Sequence, residues 1–233
     1  LNSINALEKL TKQLLNNRSK RYALEIESSE PTLSFGNEGN ISEIFIPKRL
    51  FAHQMIEEAM ILANICAAKY IKKYIGYGIY RVHEEPEVLK IESLKKFFSL
   101  KGLSSKSFLK TIELINGFIK HVNKDEGNKM MNILILQTLK RAQYSTKEIG
   151  HFGLQLEKYS HFTSPIRRYP DLIVHRMIKN ILNKTNQIFV QEDLEEVLEE
   201  LSSLEKRAEI SARQVNQQLT CYHLKQFIGE EFS

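Results

Sequence analysis

The stretch from His161 to Arg176, HFTSPIRRYPDLIVHR, places two adjacent arginines among a threonine, a serine, two prolines and an aspartate. Thr163 and Ser164 are residue types that cap helix N-termini, and Pro165 suits a first helical position. The spacing therefore predicts a helix from Pro165 with Arg167 and Arg168 in its first turn. That end of a helix is positive, so two cations there cost on the order of 0.3–1 kcal/mol each unless an anion joins them. A phosphate or carboxylate ligand would be such an anion, taken up by the guanidinium forks and the free backbone amides. The competing reading is an ordinary helix ion pair, since Asp171 stands at i,i+4 from Arg167 and i,i+3 from Arg168. Spacing alone does not separate the two. Pro170 would fall inside such a helix at a cost of roughly 3 kcal/mol, which predicts a kink or restart at Tyr169.

The remaining chemistry-bearing residues narrow the choices. Lys and Arg total 33 against 28 acids, a net charge of +5 that favours polyanionic partners without requiring one. The aspartates are only Asp125, Asp171 and Asp193, scattered along the chain, whereas a two-metal hydrolase needs several carboxylates converging on paired ions. No histidine pair shows HxH or HExxH spacing; as a group the histidines read as core or capping residues, with His161 and His175 set apart because they flank the arginines. Cys66 and Cys221 form no CxxC motif and fit a reducing, cytoplasmic location. No apolar run approaches the roughly 18 residues of a membrane span, nothing at the start reads as a signal peptide, and an initial Leu1 suggests a piece of a longer chain.

These side chains need a scaffold, and the periodicity supplies a mostly helical one. Apolar spacing predicts a helix over Ile4 to Arg18 that breaks in the NNRSK run. Short apolar pieces around Leu24 and Ile26, Leu33 and Phe35, and Ile41 to Ile46 lie between turn residues and read as a small β meander. Pro47 then opens a long helix, Lys48 to Tyr74, apolar enough to be central and buried. Further helices are expected over Leu89 to Leu100, about Ser107 to Phe118, and Met130 to Tyr144. The alternation of Phe152, Leu154 and Leu156 predicts a strand leading to the arginines, and Gln191 to Phe227 predicts one long packed helix.

Several segments in this order, LEKLTKQLLNNRSKRYALEI, MIEEAMILANICAA, YGIYRVHEEPE, GHFGLQLEKYSHFTSPIRRYPDLIVHR and LEKRAEISARQVNQQL, resemble the ribonuclease II and ribonuclease R family, whose catalytic domain is called RNB, with ribonuclease R the nearer of the two. The likeness covers nearly the whole chain. It implies an α+β, predominantly α-helical fold, namely the C-terminal helix-rich part of an RNB domain with a small β meander. It divides the chain into residues 1–228, the C-terminal part of that domain, and 229–233, the cut start of a following oligonucleotide-binding barrel.

The resemblance further implies a processive 3′-to-5′ hydrolytic exoribonuclease that releases nucleoside 5′-monophosphates with magnesium or manganese. Arg167 matches the arginine that contacts the scissile phosphate. Arg168 and Tyr169 extend the motif, Arg168 in a supporting phosphate or structural role; Ser164 and His161 join the expected RNA-binding set, with Ser164 also read as the helix cap. Glu57 matches the first glutamate of an EE pair expected near the terminal ribose, where a 2′-hydroxyl marks RNA; its bland reading is a solvated ion pair. Ile26 stands where ribonuclease II has a stacking phenylalanine, and isoleucine can pack on a base but not stack. The family's aspartate cluster has no counterpart, so no metal ligand is expected in this chain. The fragment alone should be inactive, its partners being single-stranded RNA and the missing N-terminal part of its own domain, in a monomeric, cytoplasmic parent with no membrane contact. The alternative is a non-catalytic RNA-binding or scaffold module. A purely structural motif, with Arg167 tied up by Asp171, would show no salt-dependent RNA binding.

Overall fold

In a computed structural model the described residues are 2–25, 31–37, 40–102, 110–123, 130–185 and 191–230. They form α1 (Asn2–Lys20), β1 (Thr32–Phe35), β2 (Ile41–Phe45), α2 (Phe51–Ile75), β3 (Tyr80–Val82), α3 (Val88–Leu100), α4 (Thr111–Val122), α5 (Met130–Thr138), β4 (Gln143–Ser145), α6 (Tyr169–Asn183) and α7 (Gln191–Leu224). The α+β, predominantly helical class therefore holds. Ile26, the start of the helix expected from Ser107, and the last three residues lie outside the described residues.

Two apolar cores organise the helices. In one, α3, α4 and α5 meet around Phe98 and Phe118, whose rings stack at 4.1 Å and 9°. Ile112, Ile115, Phe118, Ile119 and Val122 recur at helical spacing, so α4 turns one continuous stripe into this core. In the other, α2, α6 and the start of α7 close over β4 through Ile71, Tyr144, Val174, Met177 and Leu198. β1 and β2 make an antiparallel hairpin with an irregularity after Ser34. β3 pairs antiparallel with β4, setting Tyr80 opposite Ser145 and Val82 opposite Gln143.

Local periodicity fails where a long-range partner decides. The helix expected to run through Tyr144 ends at Thr138, because residues 143–145 pair with β3 some sixty positions earlier. The strand expected over Phe152 to Leu156 is a single 3₁₀ turn, Phe152–Leu154. His151 Nδ1 accepts the Leu154 N–H at 3.2 Å, and Gly150 at φ 80° and Gln155 at φ 51° reverse the chain on either side. Gly153 lies so close to His83 that a Cβ would stand 3.0 Å from Nδ1. At the other end of the chain α1 runs on through NNRSK to Lys20, where Arg18 is tied to α2. α2 itself is only half sunk: Ala67, Ala68 and Ile71 are buried, but Ile56 in its first half is 57% exposed. α7 is continuous as expected yet packed only in its first half, with Val215 and Tyr222 on the surface.

Candidate functional site

The arginine segment is held from three sides before it turns. β3 fixes its approach: the Arg81 N–H donates to Tyr159 O at 2.7 Å, and the Ser160 hydroxyl donates to Ile79 O. α2 contributes Asn64, a buried amide whose NH₂ donates to the Tyr159 hydroxyl at 3.0 Å and whose oxygen accepts the Phe162 N–H at 2.9 Å. α6 reaches back with His175, which stacks on Phe162 at 4.2 Å and 10° while its Nε2 donates to Phe162 O at 2.8 Å. Buried backbone groups thus find partners side chain by side chain where no regular structure supplies them.

The expected helix from Pro165 does not form. Residues 164–168 make a tight turn in which Ser164 O accepts the N–H groups of Arg167 at 3.3 Å and Arg168 at 3.1 Å. α6 starts at Tyr169, the restart position, with Arg168 as N-cap and no side-chain cap. Ser164 is therefore not the helix cap; its backbone, not its hydroxyl, closes the turn. Pro170 becomes the second helical residue, where the missing N–H would have had no intrahelical acceptor, so it costs nothing and bends nothing.

Asp171 joins both ends of this turn. It is fully buried, and its Oδ1 accepts the Ser164 N–H and an Arg168 Nη2 hydrogen, each at 2.8 Å. Arg168 Nε and Asp171 Oδ2 remain buried without partners, the open second arm of what would be a bidentate fork. The two arginines thereby part company. Arg168 is paired and largely covered. Arg167 is exposed and forms no ion pair with any described residue. Beside them Ile166 is 101% exposed, and Tyr169 is half exposed with the Arg176 guanidinium 6.0 Å from its ring centre.

Behind the turn lies a column of rings. His161 Nδ1 and the Tyr144 hydroxyl share a 2.9 Å hydrogen bond, and His161 also meets Tyr159 edge-on at 5.7 Å. Tyr159 continues to His151 at 5.5 Å, and His151 to His83 at 5.1 Å. Burial, with Arg168 and Arg81 nearby, drives the His161 imidazole down to about 3. Burial, with His83 and Arg81, does the same to His151, also to about 3. Both rings are neutral at neutral pH. The Tyr144 hydroxyl is pushed up to about 12, chiefly by burial and despite Arg81 lying 4.5 Å over its ring.

The EE pair divides by burial, although both members are ion-paired. Glu57 lies at the surface in an ion pair with Arg49, whereas Glu58 is 3% exposed and binds Arg18 of α1 at 2.7 Å. Glu57 precedes Asn64 by seven residues, so it shares the α2 face that grips the arginine segment, about 10 Å further along the axis. Sequence reasoning missed Asn64, Tyr144 and Arg81. Only Asn64 left a signal, a lone amide within the apolar run ILANICAA. Among the described residues, no group of three or more His, Cys, Asp or Glu side chains is placed to hold a metal ion, so these residues by themselves do not fit a resident metal.

The chain belongs to the RNB domain family, whose model matches residues 1–184. Among individual proteins it is similar to Ribonuclease R of Vibrio parahaemolyticus, with 34% identity covering 99% of this chain and 29% of that protein. It thus spans less than a third of the length of such relatives. Its structure is similar to the apo form of Mycoplasma genitalium RNase R, with a TM-score of 0.90 and 27% identity over 98% of this chain and 37% of that one. It also matches yeast Ssd1, described as a pseudonuclease, with a TM-score of 0.64 and 25% identity over 84% of this chain and 25% of that one.

Proposed function

We propose that this chain is the helix-rich part of the catalytic domain of a processive 3′-to-5′ exoribonuclease that hydrolyses RNA to nucleoside 5′-monophosphates. Arg167 meets the scissile phosphate and stabilises charge on the transferring phosphoryl group. The observation that carries this reading is the division of the arginine pair: in a chain resembling Ribonuclease R, one guanidinium is fixed at the rear while its neighbour stands free on a rigid turn. Arg168 serves the turn, exposed Tyr169 lines the approach of single-stranded RNA with His161 supporting the turn from behind, and Glu57 lies towards the terminal ribose. Solved structures of the Mycoplasma protein with RNA support an RNA ligand for relatives of this chain.

Magnesium or manganese belongs to the parent enzyme, its carboxylate ligands lying in the remainder of the catalytic domain; that part of the same monomeric, cytoplasmic polypeptide is the chain's first partner. Exposed Ile56 beside Glu57 and exposed Ile166 beside Arg167 offer it apolar surface. No helix among the described residues is long and apolar enough to cross a membrane, and Cys66 and Cys221 are free and exposed, as a reducing compartment allows. A second reading, a non-catalytic RNA-binding module, is favoured by the likeness to the pseudonuclease Ssd1.

The test is hydrolysis of single-stranded RNA with magnesium by the full-length polypeptide, by its Arg167→Ala variant, and by this chain alone. Degradation from the 3′ end, a loss of about 10²–10³ on substitution, and a silent fragment are expected. Cleavage by the fragment overturns the assignment of metal ligands elsewhere; an unimpaired variant overturns the role of Arg167; and a parent that binds RNA without cutting it moves the chain to the second reading.

A further inference from the structure

We infer that Asp171 is the positioning residue for Arg167, a conclusion that rests on the phosphate role proposed for that arginine. One carboxylate oxygen holds the amide of Ser164, where the turn begins, and the guanidinium of Arg168, where it ends, both at 2.8 Å. The three residues between these pins, Pro165 to Arg167, have no freedom to drift as a loop would. Asp171 also stands in the first turn of α6, whose dipole stabilises a buried anion there, and it is the only acid on that helix. Committed to Ser164 and Arg168, it is withheld from Arg167. The result is one neutralised arginine and one free one on a turn of fixed shape. Without the carboxylate both guanidiniums would be loose cations at a positive helix end, and the turn would lose the bond that shapes it.

Asp171→Asn is the informative substitution, because the amide oxygen can still accept the Ser164 N–H while the charge that holds Arg168 is gone. The experiment is a four-member cycle in the full-length polypeptide: the parent, Asp171→Asn, Arg167→Ala and the double variant. Steady-state hydrolysis of single-stranded RNA gives kcat and KM for each member. A misplaced Arg167 should lower kcat about tenfold to a hundredfold while KM stays within about twofold. In the Arg167→Ala background the same substitution should change kcat by less than about twofold, since the residue it positions is already absent. An equal loss in both backgrounds makes Asp171 merely structural and overturns the inference, as does full kcat in the single variant. If Arg167→Ala by itself leaves hydrolysis intact, the underlying reading fails, and that single variant reveals it independently of Asp171. Should Asp171→Asn not fold, Arg168→Gln takes its place: it removes the charge that Asp171 holds at the end of the turn, and the same non-additivity is expected.

Discussion

Two neutral imidazoles at the base of the arginine turn make a pH prediction at the scale of single residues. His151 and His161 are held down to about 3 in the fold, whereas an unfolded histidine titrates near 6.5. The unfolded chain therefore binds more protons below that value, and the stability these groups permit is complete above about pH 6.5 and lost as pH falls towards 3. Between about pH 7.5 and 5.5 each should cost roughly 1 kcal/mol. Urea unfolding at the two pH values measures it. His161→Gln, which can still bond the Tyr144 hydroxyl, should remove part of the slope; an unchanged slope would mean that His161 is solvated and titrates normally. At this scale the sequence singled out the arginine pair but not its division of labour. Arg167 and Arg168 are chemically identical, and only the Asp171 ion pair of Arg168 and the exposure of Arg167 tell them apart.

The helices divide another look-alike pair. Glu58 carries the bond between α1 and α2, and its removal leaves Arg18 partly buried and unpaired. Glu58→Gln should therefore destabilise the chain by about 3 kcal/mol in urea unfolding. Glu57→Gln, at a surface pair with Arg49, should cost less than about 1 kcal/mol. Equal costs would contradict the assignment of faces on α2. The elements were largely legible: helices over Val88–Leu100 and Gln191–Leu224 follow from their own apolar spacing. β3 and β4 were not, because three-residue strands carry no usable period and exist only through their pairing with each other.

For the whole molecule the relevant quantity is the charge of +5 and the way it meets a polyanion. If the free guanidinium and its neighbours track phosphates, RNA affinity of the full-length polypeptide should fall steeply with salt. About three contacts to single strands would lose roughly 20-fold between about 50 and 200 mM. A flat response in a binding titration would return the motif to a structural role. The two cores lie differently about the turn: the one built by α2, α6 and α7 has Phe162 from the arginine segment packed against it, whereas the one built by α3, α4 and α5 holds Leu24 and Phe152, the latter bonded to His83.

The sequence by itself determined the RNB family and the helical class and singled out the SPIRRYPD stretch, because motif order and 3.6-residue periodicity are local properties that survive in a string of letters. Only the tertiary structure decided that no helix forms from Pro165, that Asn64 and Asp171 clamp the turn before Tyr169, which arginine stays free of an ion pair, and which glutamate is buried. Those outcomes depend on a buried amide and a buried carboxylate choosing among nearby donors, a competition settled by distance and burial.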